Sequence, residues 1–368
     1  VDWTSQRCQF SGTVTSNNGA IGRFIASSAQ TFTHIGQDLT IFQSTVSEKT
    51  TIVAASQSKA WVAYSTFRYM EMTGACEIVG NHFNMRGSEY SNIEEVCLQI
   101  KNSGGIQNIH NNIIYGASNI TNVSGYNYEN YYERYEITVT VHSYPAVLLS
   151  YGTGTTTFIN NVIYNFYHGI YVDDSALALV IEGNYHERAN LKDLPGFTWE
   201  QKSYYPNPKI SNFLGNSRWN GIGKIIYRIA GGYSNPSFGS IYCKHQNALI
   251  RNNIFSPQFD NNSPVFGGIA TENTTLTLPF LNTATPSSTN FFRFPADSAA
   301  IDAGPDMAIY TDLDGSRNDV GAYGGHSYDP TGRTTTKPVV LSGSVDPLYV
   351  KRGGSVTIEA RAAVVAEP

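Results

Sequence analysis

An all-β repeat architecture is predicted by three observations. Apolar residues do not recur at i, i+3, i+4 and i+7 for more than one or two turns, so amphipathic helices are not expected. Short runs rich in Val, Ile, Thr and Tyr, at 146–151, 156–164, 169–172 and 177–185, are each closed by Gly, Asn, Asp or Ser. Such runs read as strands bounded by turns. The third observation is an Asn followed by apolar or aromatic residues, which returns at Asn81, Asn112, Asn161, Asn184 and Asn253.

Those five sites lie 31, 49, 23 and 69 residues apart. The separations fit one, two, one and three copies of a unit of about 23 residues, if some copies carry inserted loops. A parallel β-helix coil uses about three short strands and three turns. An Asn at a strand corner can accept left-handed geometry and stack its amide on the coils above and below. The five asparagines are therefore expected to form a structural ladder.

Composition narrows the function. The 24 Lys+Arg against 29 Asp+Glu give a net charge of −5, which argues against nucleic acid as a partner. Only 14% of residues are charged, against roughly 25% in an ordinary domain, so the polar surface is mostly neutral. That profile suits a protein outside the cell that packs against copies of itself through neutral polar contacts. With 41% hydrophobic residues the chain can bury a large core. The longest apolar run, 176–181, is far short of the roughly 20 residues that cross a bilayer as a helix. The chain begins with Val and shows no basic-then-apolar leader, so it is expected to be processed or excised from something longer. Cys8, Cys76, Cys97 and Cys243 lack zinc spacing. They read as buried thiols, with Cys76 to Cys97 the favoured pair if a disulfide forms.

Residues 60–328 resemble the secreted right-handed parallel β-helix repeat proteins, the superfamily of pectate lyases and polygalacturonases. The stretch 164–184, Tyr-Asn-Phe-Tyr-His-Gly-Ile-Tyr-Val-Asp-Asp followed by Leu-Val-Ile-Glu-Gly-Asn, looks like one complete coil. A second resemblance runs from Pro279-Phe280 through Asp297-Ser-Ala-Ala-Ile-Asp-Ala-Gly304 to Thr311-Asp-Leu-Asp-Gly-Ser-Arg-Asn-Asp-Val-Gly-Ala-Tyr-Gly-Gly325. It looks like the family's usual ending, which implies a segment closing the last coils. Residues 345–360 look like the opening strands of a bacterial immunoglobulin-like module, which needs about 100 residues and seven strands. The expected organisation is N-terminal coils or a cap at 1–60, a right-handed parallel β-helix at 61–328 with inserted loops near 116–143 and 187–228, a linker at 329–338, and a C-terminal β extension at 339–368. That extension is expected to add to a sheet of another subunit.

Candidate chemistry is sparse. Asp173 and Asp174 end a strand with His168 on the same coil and Arg188 and Lys192 about one coil later. Paired carboxylates could bind calcium or perform acid–base hydrolysis, and they are also turn formers. The polygalacturonases carry Asn-Thr-Asp, Asp-Asp, Gly-His-Gly and Arg-Ile-Lys motifs in order, and here only the Asp-Asp is present. Asp312, Asp314 and Asp319 have the look of a calcium loop or of turn-capping acids paired with Arg317. Charged residues at 86, 89, 94, 95 and 101 read as a solvated loop. Tyr126, Tyr128, Tyr131, Tyr132 and Tyr135, with Trp199 and Trp219 further on, could cover their own β-helix, meet a neighbour or stack on sugars. Sequons stand at Asn119, Asn122, Asn261 and Asn273.

The function expected first is an extracellular or cell-surface structural subunit that self-associates. A polysaccharide lyase or glycoside hydrolase acting on an acidic polysaccharide and a non-catalytic glycan-binding adhesin are the alternatives. The sequence leaves open whether the last coil is closed by a cap or stacks on another chain.

Overall fold

The computed structural model describes residues 2–17, 20–85, 96–101, 103–116, 134–142, 145–150, 152–166, 168–173, 178–188, 222–230, 240–257, 263–307, 310–326, 328–346, 354–355 and 357–365. It is an all-β parallel β-helix. Ten parallel strands stack as the first face, from Trp3–Gln6 through Ala75–Val79 to Ile269–Thr271. A 16-stranded sheet supplies the other two faces, which the long strands Thr45–Ala54 and Thr66–Thr73 join by running round the corner between them. All pairings within these sheets are parallel, so each coil repeats the direction of the one before.

The corner after the first face shows why this sequence folds so. Immediately before each turn into the second face stands a residue at positive φ: Arg7, Ala26, Gln43, Tyr64, Gly80, Asn111, Asn160, Gly183, Asn252 and Glu272. That left-handed kink costs roughly 1 kcal/mol at a non-glycine, least at Asn, so it must be repaid by neighbours. The left-handed residue is thus the one before the ladder Asn, a correction to the expectation that the ladder Asn takes that geometry itself. At Gly183 a Cβ would stand 2.4 Å from the Asn160 side-chain oxygen, so both φ and space call for glycine there.

The coil count also differs from the expectation. The intervals of 31, 49 and 69 residues are one coil each, because every ladder residue bonds directly to the next one named. The extra length leaves at a single corner, between the second and third faces. It sits after His82–Asn84, after Ile113–Tyr115 and after Tyr185–Arg188. The two longest insertions contribute strands Arg134–His142 and Ile222–Ala230, which pair in parallel over nine residues, Arg134↔Ile222 to His142↔Ala230. The two coils between them are the crossover that such a parallel pair requires.

Alternation along each strand sends one set of side chains inward to a single continuous core, including Phe24, Ile41, Val62, Ile78, Ile109, Phe158, Ile181 and Ile250 in one column of the first face. The described residues of 276–328 do not seal the last coil. They run back along the outside of the second face, where Phe291, Phe292 and Phe294 pack on Ile113, Tyr115, Val162 and Tyr185. Burial of each such ring is worth roughly 2 kcal/mol. The Asp297–Gly325 motif clamps the corner itself: Asn318 and Asn160 exchange side-chain hydrogen bonds at 2.8 and 2.9 Å, and Asn111 Nδ2 donates to the Ala322 and Gly324 carbonyls.

Further on, Tyr328 stacks on Tyr64 and the half-buried Arg333 donates to the Ser65 and Gly80 carbonyls and to Thr66 Oγ1. Strands Val339–Asp346 and Thr357–Ala363 form an antiparallel hairpin. It packs on its own β-helix through Leu341, Ala363 and Val365 against Ile25, Phe42, Ala63 and Val79. Arg361 lies 3.6 Å over Trp61 and reaches Asp38 at 3.3 Å. The extension therefore engages its own chain, while Val340 and Ile358 on it stay exposed.

Candidate functional site

The ladder sets the geometry. Asn81, Asn112, Asn161, Asn184 and Asn253 are linked rung to rung: each later side-chain oxygen stands where the preceding rung's backbone N–H and amide N–H both donate to it, at 2.8–3.0 Å. Each Nδ2 also donates to a carbonyl of the coil before. Buried polar groups are thereby satisfied inside a dry wall. Sequence reasoning missed four further rungs. Ser27, Ser44 and Ser65 continue the line toward the N-terminus with hydroxyls in place of amides, and Asn273 ends it. The signal that could have found them is a Ser or Asn followed by Ser or Thr, as in Gln43-Ser44-Thr45-Val46. Asn273 heads a sequon, yet its amide is engaged by Asn253 and the Ile250 carbonyl.

The two ends of the solenoid differ. At the start, the Trp3 ring fills the space above Gly22, where a Cβ would meet it at 2.7 Å, and Trp3 Nε1 donates to Ser16 Oγ at 2.6 Å. Phe10 lies against Phe24, and Val14 packs on the same core. At the other end, the strands Val265–Phe266, Ile269–Thr271 and Thr274–Thr275 are the outermost of their faces. Their inward positions are Val265, Ala270 and Thr275, in register with Ile241, Ile250 and Phe255, and Ala270 and Thr275 are exposed. No described residue pairs with the outer edge of these strands. Among the described residues Asn273 has no following rung, so the backbone N–H and amide N–H that every earlier Asn rung gives to its successor point at the open end. On the third face, stacked rings of Tyr171, Tyr242 and Phe266 also stop there, at centroid distances of 5.2 and 6.5 Å.

Beside this end lies a polar cleft of 580 Å³ lined by Arg251, Asn252, Glu272, Asp306, Met307 and Arg317, among others. Asn252 Nδ2 donates to Glu272 at 3.2 Å, and Arg317 Nε to the Gly304 carbonyl at 2.8 Å. The buried Glu182 carboxylate pairs with Arg251. On the outer first face a second polar group gathers at Glu77, which accepts from Lys59 at 2.7 Å and Asn108 at 3.1 Å and lies 2.7 Å from His110 Nε2. Burial pushes the Glu77 carboxyl up, but the hydrogen bond and charge of His110 and then Lys59 outweigh it and bring it down to about 2.

Among the described residues the expected chemistry is not brought together. His168 belongs to the inward-facing set of its strand with Ile170 and Val172, so it is buried in the core, away from any surface reaction. Asp173 forms an ion pair with Lys244 at 2.8 Å. Asp174, Lys192 and the Arg188 side chain lie outside the described residues, as do Tyr126, Tyr128, Tyr131, Tyr132, Trp199, Trp219 and the side chain of Tyr135. Among the described residues no three His, Cys, Asp or Glu side chains are grouped to hold a metal. Asp312 accepts from the Asp319 and Gly325 backbones, Asp319 from the Asp302 backbone, and Asp314 from Ser316. These acids brace the clamp. Burial, then the neighbouring Asp312 charge, raises the Asp319 carboxyl to about 6. Cys76 and Cys97 are free and buried, in line with their reading as buried thiols; they stand on different faces of the coil, so they are not the pair that a disulfide would have joined, and burial raises both thiols.

Set against protein-family models, curated proteins and solved structures, the chain gives no match in any of the three comparisons.

Proposed function

We propose that the chain is an extracellular structural protein, a β-helix subunit that self-associates into a filament or other cell-surface assembly. The observation that carries this reading is the last coil, whose three adjacent strand edges pair with no other described strand and whose ladder rung has no successor among the described residues. Natural sheets cover or break such edges because they template pairing with other chains. Here the segment that family resemblance places as a closing element is spent on the flank instead. The pectate-lyase-like and immunoglobulin-like kinships belong to the same proposal, supported by the coil architecture and by the two-stranded C-terminal hairpin. The test is electron microscopy with light scattering over a concentration series of the intact chain. Rods one solenoid wide that lengthen with concentration are expected, and a monodisperse monomer throughout would overturn the reading.

A further inference from the structure

We infer that His82 is an acid-sensitive latch, whose protonation loosens the outer segment 276–335 from the second face of the solenoid. This does not depend on the assembly reading above. In the strand His82–Asn84 the inward residue is Phe83, which joins the continuous core, so His82 points outward, beneath the segment that runs back along that face. It is 2% exposed there. Phe291 of the segment lies 5.1 Å from the imidazole, and Tyr115 of the next coil stands edge-on at 6.3 Å. Nδ1 is buried and has no hydrogen-bond partner among the described residues. A neutral ring fits such a site. An imidazolium carries N–H at both nitrogens, so protonation places a charge and a donor where nothing accepts them.

The charge that faces the ring has the same sign. The His82 backbone N–H and Arg333 Nη1 donate to the same Ser65 carbonyl, at 2.9 and 3.2 Å. Arg333 Nη2 donates to the hydroxyl of Thr66, the residue paired with His82. Around the ring, the neighbouring strands bring Thr66, Ile113 and Tyr115, the outer segment brings Phe291, and the turn 330–333 brings Arg333. No described carboxylate faces it, and burial, then Arg333, lowers the imidazole well below its ordinary value. Phe291 and Arg333 both belong to the outer segment. Its departure therefore hydrates the imidazolium and removes the opposing guanidinium in one movement. Closure is at full strength above the ordinary histidine value of about 6.5, and below it the closed-to-open ratio falls about tenfold per pH unit until the folded value is reached. Asp312 and Asp319 of the same segment, raised first by burial, act in the opposite direction, so loosening in acid is a signature of the imidazole.

The experiment is hydrogen exchange with mass spectrometry on the full chain at pH 7 and pH 4.5, corrected for the intrinsic exchange rate at each pH. The parent is compared with His82→Phe, which keeps a ring under Phe291, and with His82→Gln, which stays neutral and polar. Between the two pH values, protection of 281–293 and 318–335 in the parent is expected to fall roughly 100-fold further than in either variant. The coil at 158–163 should stay protected throughout. A pH dependence in the parent no greater than that of the variants would overturn the latch. Equal loss of protection at 158–163 would overturn it as well, because that is acid unfolding of the whole solenoid.

Discussion

The middle of the solenoid and its last coil are built on the same backbone plan and differ in whether another coil covers them on the C-terminal side. At Asn161 five hydrogen bonds converge on one buried amide: two received from Asn112 and three given to Ile109, Ile159 and Asn184. At Asn273 the same amide faces solvent on one side. Rung identity sets the potential for stacking, while the neighbour on each side decides how much of it becomes stability. Five predictions break or sharpen that contrast.

Asn161→Ala is the most damaging. It strands buried donors on Asn112 and two carbonyls, at an expected cost of about 4 kcal/mol in urea unfolding. Asn161→Ser should recover part of that loss, since serines form the rungs at 27, 44 and 65. Trp3→Ala, which opens the plugged N-terminal end, should cost about 3 kcal/mol by the same measurement.

Acid comes next. Glu77 is held ionised in the folded state down to about pH 2, below its unfolded value. Its contribution is present above the unfolded value and is lost as pH falls through the folded one. On the order of 2–3 kcal/mol should disappear over that acid range. Glu77→Gln should flatten that limb of the stability profile. Asp319 has the opposite sign. Its folded value of about 6 lies above the unfolded one, so its contribution is present in acid and lost as pH rises through about 6. Asp319→Asn should therefore raise the thermal midpoint at pH 8 relative to the parent and leave it little changed at pH 4. Smallest of all, Asn273→Ala should cost under about 1 kcal/mol in dilute solution, because its outward donors are already given to water. An equal loss at 161 and 273 would show that position along the ladder does not matter.

The all-β class and the β-helix are legible in the sequence because strand alternation and the Asn corner are local signals. The five Asn rungs are legible for the same reason, since amide, corner and apolar follower sit within three residues. The serine rungs are not, because Ser is common in turns of every kind and carries no stacking signature by itself. Coil number is ambiguous at the 49- and 69-residue intervals because an insertion and a repeat both add length, and only register separates them. The path of residues 276–328 depends on aromatic contacts with Tyr115 and Tyr185, which no local pattern encodes. His168 is a simpler case: its proximity to Asp173 suggests chemistry, while strand alternation already places it with the inward Ile170 and Val172.

The central claim is that the last coil is an open, stackable end. Hydrogen exchange of the intact chain, followed by mass spectrometry at high and low protein concentration, tests it at the strands concerned. Amides of 265–275 should be protected when concentrated and exchange quickly on dilution, while those around 158–163 stay slow in both. Protection at 265–275 that is the same at both concentrations would contradict the account.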